Sequence, residues 1–407
     1  MPRSGTHGQG VIDEMAAPST LATLAQLRGM RLTYALMAEA RRFKDVIALG
    51  RGDPDFDTPA HIVSAARDAM ENAAGERPPI EGMPALRQAI ADRVWTYNGI
   101  RVDSDREVVV TNGGQEALFL MVVASLGEGD GLIVPDPSYN TYLDALRFVR
   151  GEQVMVSTYA RESYRVDPAR VRAVIDQHPH AKALLMISPG NPSAGVIAPD
   201  DVRALVQLAA EHNLTILADD IYDLFLYDDA VHLSPQSLPD GAPRTLTLNA
   251  LSKAFAMTGW RAGWVVGPAN LMAKVRDAKA AISGGTSVVT QYAALAALTG
   301  PQESVDQMRE TLARRRRIVT GAMDEMGLVY GVPQGGQFIF ADASSLGIGS
   351  LELCLRAIEE EQVLVAPGLS FGDQWADHIR VTFLQPEDVL AEAMERLKRV
   401  VARIRRG

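Results

Sequence analysis

Short apolar runs alternate with helix-like segments through the middle of the chain, and this alternation limits the fold more than any other feature. The runs that we predict as strands are Val108–Thr111, Leu132–Val134, Ala183–Ile187, Leu214–Ala218, Thr245–Leu248 and Trp264–Val266. Most are continuously apolar, which is typical of parallel strands that are buried on both faces. Helices are predicted between them at Glu116–Ser125 and Pro199–His212. The pattern indicates an α/β fold with a mainly parallel sheet covered by helices.

The pattern changes after Gly300, where long helical periodicities replace the alternation. One predicted helix carries Met308 to Met326 on its apolar face and ends at Gly327, and the last helix runs over Pro386–Ile404. A chain of 407 residues is long enough for two or three domains. We predict a large domain over residues 51–300 and a smaller α+β domain over residues 301–407. The N-terminal segment, residues 1–50, is expected to be part of the small domain.

Charge and composition exclude several classes of protein. The net charge of −10 provides no basic excess for a phosphate backbone, so nucleic acid is not expected as a partner. The basic run Arg314–Arg317 is interpreted as a solvated helix face. The longest apolar run, Ala117–Leu126, is half of the about 20 residues that a membrane span needs, so no membrane association is predicted.

The cysteine and histidine content bears on the cellular compartment and on metal binding. Cys354 is the single cysteine, and no Cys or His pairs occur at zinc-binding spacing, so we predict no metal site. The first ten residues are polar and lack the apolar core of a signal peptide. We therefore expect a cytoplasmic protein.

Polar groups follow the predicted strands at positions where apolar strands do not need them. The segment NALSKAFAMTGWRAGW carries Ser252, Lys253 and Arg261 after one strand. The other groups are Asn191 in SPGNPSAG, Asp219 and Tyr222 in ILADDIY, and a glycine turn, Gly113–Gln115, in VVVTNGGQEAL. Ligands of open α/β sheets bind at the carboxyl ends of the strands, so we expect these groups to line one crevice.

A lysine nucleophile, a buried acid, a phenol, an amide and a glycine-rich helix start are together what pyridoxal 5′-phosphate requires. In their order and spacing, these motifs resemble those of the class I/II aminotransferases of fold type I, the aspartate aminotransferase superfamily. The resemblance extends from GRGDPDFDTP at Gly50 to the C-terminal helix. It implies a seven-stranded large domain with a smaller α+β domain, pyridoxal phosphate as cofactor, and a homodimer.

The resemblance also implies the roles of the catalytic residues. Lys253 corresponds to the lysine that forms a Schiff base with the cofactor and then moves a proton as general base. Asp219 corresponds to the acid that keeps the pyridine nitrogen protonated. Tyr222 and Asn191 correspond to the residues that hydrogen-bond the 3′ oxygen of the ring, and Tyr139, in PDPSYNTY, to the aromatic residue that stacks on it.

The phosphate of the cofactor is expected at the glycine turn. Gly113, Gly114 and Gln115 present backbone N–H groups at a helix N-terminus, which favours an anion. Ser252 adds a hydroxyl, and the guanidinium of Arg261 can contact two phosphate oxygens.

The substrate is expected beside the cofactor. Arg380, in HIRVTF, resembles the arginine that binds the α-carboxylate of the amino acid with both ends of its guanidinium. Gly52 and Asn191 are also placed at the substrate by the resemblance. Arg51 is a candidate for recognising an acidic side chain, with a structural ion pair as the alternative. The amino donor and the oxo acceptor stay open.

The chain departs from the family where a tyrosine of the neighbouring subunit usually reaches the phosphate. The segment GERPPIEGMPALR places Arg77 at that position. We hypothesise that Arg77 replaces the tyrosine across a dimer interface, and a solvated loop arginine is the alternative. By the same resemblance, residues 283–287 (SGGTS) approach the phosphate of the neighbouring subunit.

Three functions are compatible with these motifs. The first is an aminotransferase that moves an amino group from an L-amino acid to a 2-oxo acid by ping-pong half-reactions. The second keeps the cofactor but is a lyase or a decarboxylase. The third is a cofactor-binding regulator of transcription, which the acidic net charge opposes.

Overall fold

The computed structural model describes residues 21–73 and 75–407. Its helices are α1 (Leu21–Leu24), α2 (Gly29–Ala40), α3 (Ala60–Asn72), α4 (Pro84–Asn98), α5 (Gly114–Ser125), α6 (Thr141–Phe148), α7 (Pro168–Gln177), α8 (Pro199–Glu211), α9 (Ala269–Ile282), α10 (Val288–Thr299), α11 (Glu303–Glu325), α12 (Ser350–Glu361) and α13 (Glu387–Ile404). Its strands are β1 (Ile47–Ala48), β2 (Val108–Thr111), β3 (Gly131–Asp136), β4 (Glu152–Ser157), β5 (Ala181–Ile187), β6 (Thr215–Asp219), β7 (Thr245–Ala250), β8 (Gly263–Val266), β9 (Val329–Tyr330), β10 (Phe338–Asp342), β11 (Val363–Leu364), β12 (Ala366–Pro367) and β13 (His378–Thr382). The ten N-terminal residues, in which no signal peptide is predicted, lie outside the described part.

Seven strands form the central sheet in the order β2-β8-β7-β6-β5-β3-β4. Strand β8 runs antiparallel to both of its neighbours, and the other neighbouring pairs are parallel. All six predicted strands are present, with boundaries that shift by a few residues at most. The predicted α/β fold class with a mainly parallel sheet is therefore confirmed.

Strand β4 is absent from the prediction, and its burial pattern explains why. It pairs only with β3, at the edge of the sheet, and of its six residues only Val154 and Val156 are buried. A search for continuous apolar runs misses a strand of this kind, because an edge strand buries only one of its faces.

The two faces of the sheet pack against different sets of helices. Leu185 and Leu217 belong to the apolar cluster that includes α5 and α6, whereas their neighbours Leu184 and Ile216 belong to the cluster that includes α7 and α8. This alternation with a period of two is the geometry of a β-strand. The sheet is thus covered on both faces, and its strand ends remain available for a site.

A second sheet lies in the C-terminal part, with the antiparallel order β12-β13-β10-β9. Strand β1 pairs in parallel with β11, so the N-terminal segment joins the C-terminal part of the chain. Helix α2 adds Leu32 and Leu36 to a buried cluster with Leu351 and Ile358 of α12. The predicted helix that ends at Gly327 is α11, and the predicted last helix is α13.

Among the described helices, none combines the length and the apolar character that crossing a bilayer requires.

The basic run on α11 differs from its interpretation as a solvated face. Arg315 and Arg316 are buried, with 5% and 7% of their surfaces exposed. The Arg315 guanidinium binds both carboxylate oxygens of Asp55 at 2.7 and 2.9 Å, and Arg316 binds those of Asp228 at 2.9 and 2.7 Å. The interpretation is wrong for these two residues, because the carboxylates that compensate their charges are distant in sequence, whereas Arg314 and Arg317 are exposed as it expects.

Because removing one partner of a buried ion pair leaves the other uncompensated, Arg315→Ala should lower the free energy of unfolding by about 3 kcal/mol. Arg317→Ala is the matched control, since Arg317 is exposed on the same helix. Its cost should be within about 0.5 kcal/mol of zero. Urea unfolding followed by circular dichroism measures both variants. Equal midpoints and slopes would show that the Arg315–Asp55 pair contributes nothing.

Candidate active site

The carboxyl ends of the parallel strands open into one cavity of about 490 Å³. Strand β6 ends at Asp219, β7 ends three residues before Lys253, and Asn191 follows β5. All predicted site residues except Gly113 line this cavity: Gly52, Gly114, Gln115, Tyr139, Asn191, Asp219, Tyr222, Ser252, Lys253, Arg261 and Arg380. The structure therefore brings together groups that are up to 328 residues apart in the chain (52 to 380).

Lys253 is the amine of the cavity, and 14% of its side chain is exposed. Its Nζ donates a hydrogen bond to the carbonyl oxygen of Gly52 at 2.6 Å and lies 4.0 Å from Asp53 Oδ1. Burial lowers the pKa of Lys253 to about 8, against the opposing effect of Asp53 and with the help of Arg380 and Arg261. A larger fraction of this amine than of an ordinary lysine is therefore uncharged near neutral pH and able to act as a nucleophile or a base.

Asp219 is a buried acid without a cation. Its carboxylate accepts hydrogen bonds from Tyr142 Oη at 3.0 Å and from the backbone N–H of Ile221 at 3.2 Å. Burial raises the pKa of Asp219 to about 7 despite these hydrogen bonds, and the charges of Asp220 and Asp223 act in the same direction. Among the described residues, no basic side chain pairs with Asp219, so its carboxyl group is available to a ligand, and a cation there would favour its ionised form.

The glycine turn and Arg261 form a cradle at the start of α5. Gly113 has a φ of +81°, which favours glycine, and a Cβ there would lie 2.6 Å from Arg261 Nη2. Gly113 thus shapes the cradle without lining the cavity. Arg261 donates hydrogen bonds to the carbonyl oxygens of Thr258 at 3.1 Å and Asn112 at 3.3 Å. No carboxylate of the described chain pairs with Arg261, so the helix N-terminus and this guanidinium can share an anion.

Arg380, on β13, is held with its guanidinium toward the cavity. Its Nη1 donates to Asn191 Oδ1 at 3.1 Å, and its Nη2 donates to the carbonyl oxygen of Gly50 at 2.9 Å. The rings of Phe338 and Phe371 lie 5.3 and 5.1 Å from its Cζ. Its buried Nε has no hydrogen-bond partner, and no described carboxylate forms an ion pair with it. This arrangement fixes a cation whose counter-charge must come from a ligand.

Two tyrosines of the prediction lie at the same cavity. The ring of Tyr222 is buried and meets Phe338 edge-on, with 5.4 Å between ring centroids. Burial raises the pKa of Tyr222, so its hydroxyl stays protonated and can donate a hydrogen bond. Tyr139 also lines the cavity, beside Asn140.

Several residues of the site are absent from the sequence prediction. Tyr142, on α6, does not line the cavity but donates a hydrogen bond to Asp219, and no pattern in the sequence singled it out. Asp53 faces Lys253 and also pairs with Arg51, whose Nη2 lies 2.5 Å from its carboxylate. This contact favours the alternative interpretation of Arg51, in which its charge is compensated by an ion pair within the protein. Helix α2 contributes Gly29, Thr33, Tyr34 and Met37, and Arg41 follows directly after it. No signal in the sequence indicated any of these five residues.

The loop with Arg77 packs against the stretch at residues 283–287. A Cβ on Gly285 would lie 2.8 Å from the carbonyl oxygen of Pro78. The backbone N–H of Met83 donates to Gln291 Oε1 at 2.6 Å, which ties the following turn to α10. Arg77 is exposed and forms no ion pair with the described residues. The two segments thus form one surface of the protein.

The residues present fit pyridoxal phosphate. The cofactor carries an anionic phosphate, an aldehyde and a basic ring nitrogen, and the cavity offers a cationic cradle, an amine and a buried carboxylate. Asp219 without a cation and Arg261 without an anion are the groups that such a ligand compensates. In residues 21–73 and 75–407, no group of three or more acidic, histidine or cysteine side chains is arranged to bind a metal ion.

The chain is similar in sequence and in structure to known aminotransferases. An aspartate aminotransferase of Pyrococcus abyssi is 35% identical over 89% of this chain and 93% of its own length. An arginine–pyruvate transaminase of Pseudomonas aeruginosa is 37% identical over 89% of this chain and 92% of its own length. The solved aspartate aminotransferase of Thermus thermophilus with maleate has a TM-score of 0.85 at 36% identity and covers 90% of this chain and 96% of its own.

The family profile of class I and II aminotransferases matches residues 44–397. Members of this family transfer amino groups and use pyridoxal phosphate as their cofactor. The chain belongs to the class I and II aminotransferases.

Proposed function

We propose that four charged side chains of the cavity each have a separate role in amino-group transfer. Asp219, Arg261 and Arg380 are three charges that no described residue of opposite sign compensates, and they surround the amine of Lys253. A cofactor with a protonated ring nitrogen and a phosphate, together with a substrate carboxylate, supplies the three missing counter-charges. This single charge pattern supports the residue assignments more than any other observation.

Pyridoxal phosphate, when bound, supplies the carbon that accepts the amino group and a ring that withdraws electrons. Lys253 is assigned to hold the cofactor covalently and to move the proton at the substrate Cα. Its lowered pKa suits this role, because a base whose pKa is near the working pH is deprotonated often enough to accept a proton. The carbonyl oxygen of Gly52 orients its Nζ.

Asp219 is assigned to the ring nitrogen. A buried carboxylate stabilises a cation beside it much more strongly than an exposed one, because the interior screens charge poorly. Tyr142 and the backbone N–H of Ile221 fix the orientation of the carboxylate. Tyr222 and Asn191 are assigned to the ring hydroxyl oxygen, and Tyr139 to the face of the ring.

The remaining assignments concern anions. Gly113, Gly114, Gln115, Ser252 and Arg261 would hold the phosphate at the N-terminus of α5. A second group would bind the substrate α-carboxylate, with Arg380 as its cation and with Asn191 and Gly52 beside it. Both Nη atoms of Arg380 are already oriented by hydrogen bonds, so the guanidinium loses little conformational freedom on binding.

A half-reaction separates amino-group transfer by ping-pong steps from the alternative lyase or decarboxylase. With the holoenzyme and an amino donor alone, we expect about one 2-oxo acid per active site, after which turnover stops until an oxo acid is added. The measurement is rapid-quench analysis with a panel of amino acids, followed by pyruvate, 2-oxoglutarate or oxaloacetate. Continued release of ammonia or carbon dioxide from the donor alone would favour the alternative.

Asp219→Asn removes the charge that is assigned to the ring nitrogen. Turnover should fall by about 100-fold or more, because the electron withdrawal by the ring depends on that charge. Asp200→Asn is the control, since the side chain of Asp200 is 99% exposed at the start of α8. Steady-state kinetics and the absorbance of the bound cofactor are measured for both. A drop of less than about tenfold in a cofactor-loaded Asp219→Asn would contradict the assignment.

The assembly, the domain division and the location are also proposals. We infer a homodimer whose interface includes the Arg77 loop and residues 283–287, because these segments form one surface and Arg77 forms no ion pair with the described residues of its own chain. Residues 51–300 are assigned to a large domain and residues 301–407, with the N-terminal segment up to residue 50, to a small one. The pairing of β1 with β11 supports the placement of the N-terminal segment. A cytoplasmic location is consistent with the buried free thiol of Cys354.

Subunit hybrids test whether Arg77 acts across the dimer. Arg77→Ala should weaken cofactor binding by about tenfold, an effect of about 1.4 kcal/mol. In a hybrid of one Arg77→Ala and one Lys253→Ala subunit, the site that keeps Lys253 faces an intact Arg77 of the partner subunit. That site should regain wild-type affinity, measured by fluorescence titration with pyridoxal phosphate. Weak binding in the hybrid would place Arg77 within its own subunit, and unchanged binding in Arg77→Ala would make it a solvated residue.

A further inference from the structure

A second group of buried charges lies behind the end of β6. This group, which we call the carboxylate cluster, consists of Asp220, Asp223, Arg93 and His232. Asp220 and Asp223 are 2% and 8% exposed, and the side chain of His232 is 4% exposed. None of the four lines the cavity, although Asp220 is adjacent to Asp219 in the chain. The reaction as assigned above uses none of them.

The charge of Asp223 is compensated inside the cluster. Arg93 Nη2 lies 2.8 and 2.7 Å from the two carboxylate oxygens of Asp223, and Asn98 Nδ2 donates to one of them at 2.9 Å. Burial raises the pKa of Asp223, but the charges of Arg93 and His232 and these hydrogen bonds outweigh it, and the pKa lies below its usual value. Asp223 is therefore an ionised carboxylate with its own cation.

Asp220 depends on His232 instead. Its Oδ2 lies 3.3 Å from His232 Nε2, an ion-pair distance at which the two groups are not aligned for a hydrogen bond. Burial lowers the pKa of His232, but the carboxylates of Asp220 and Asp223 outweigh both burial and the opposing charge of Arg93. These three are the charged groups that face the imidazole, two from the segment after β6 and one from α4. The net result is a pKa of His232 above its usual value.

We propose that His232 is a positioning residue whose imidazolium balances the charge of Asp220, so that Asp219 can face the cofactor nitrogen as an ionised carboxylate. The inference rests on the proposed role of Asp219. Without the imidazolium, a second negative charge would lie next to Asp219 in a poorly screened interior and would favour its protonation. The negative charge of Asp220 already contributes to the raised pKa of Asp219.

The charge of His232 can be read directly in the holoenzyme. Long-range ¹H–¹⁵N NMR of the histidine side chains distinguishes imidazolium from imidazole, and His232→Gln identifies the signal by its loss. We expect imidazolium at pH 7.5 in the wild type and neutral imidazole in Asp220→Asn, which removes the stabilising carboxylate. A neutral His232 in the wild type would overturn the inference, whatever the role of Asp219.

The consequence for the cofactor is measured by titrating its visible absorbance with pH. His232→Gln removes a positive charge and should move the midpoint upward by about half a pH unit or more. The double variant His232→Gln/Asp220→Asn restores the net charge and should return the midpoint to that of the wild type. His212→Gln, at the end of α8, is the control and should leave it unchanged. A purely structural role predicts no such return.

An unmoved midpoint in His232→Gln, or a double variant that stays shifted, would overturn the inference. Its failure is distinguishable from a failure of the proposed function, because the latter appears in Asp219→Asn as near-normal turnover. If His232→Gln does not fold, the histidine signal that changes between the wild-type and Asp220→Asn spectra identifies His232 and still decides its charge. A histidine that remains cationic in Asp220→Asn would show that Asp220 is not its partner.

Discussion

The carboxylate of Asp219 is the constraint to which the rest of the site is adjusted. It is buried at the end of a strand in the middle of the sheet, and it has two hydrogen-bond donors but no cation among the described residues. A buried carboxylate in this state costs free energy unless a ligand compensates it. A cation beside Asp219 would therefore stabilise its ionised form, and the strand fixes where that cation must lie.

One loop connects this charge to the rest of the cavity. The carbonyl oxygens of Gly50 and Gly52 orient Arg380 and Lys253, and Asp53 faces Lys253. Two residues further on, Asp55 is bound by Arg315 of α11. The loop thus links Lys253, Arg380 and a helix of the C-terminal part. A shift of α11 relative to the central sheet would move the groups that orient Lys253 and Arg380.

The sequence predicts the residues whose chemistry the site requires, but not the residues that hold them in position. Continuous apolar runs reveal the buried strands, and polar residues after them reveal Asp219, Lys253 and Asn191, because both signals are local. Strand β4 is missed because it is an edge strand, in which only alternate residues are buried. The hydrogen bond from Tyr142 to Asp219, by contrast, depends on the position of helix α6 relative to β6. The local sequence does not determine that position.

The same limit applies to charge. Arg315 is part of a basic run that is interpreted as solvated, and it becomes a buried ion pair because Asp55 lies 260 residues away in the chain. His232 likewise appears as an isolated histidine until Asp220 is placed 3.3 Å from it. In both cases the electrostatic environment of the residue is determined by a partner that only the fold identifies. Around Asp219 this has a chemical consequence, since the proton equilibrium of its carboxyl group depends on neighbours that do not line the cavity.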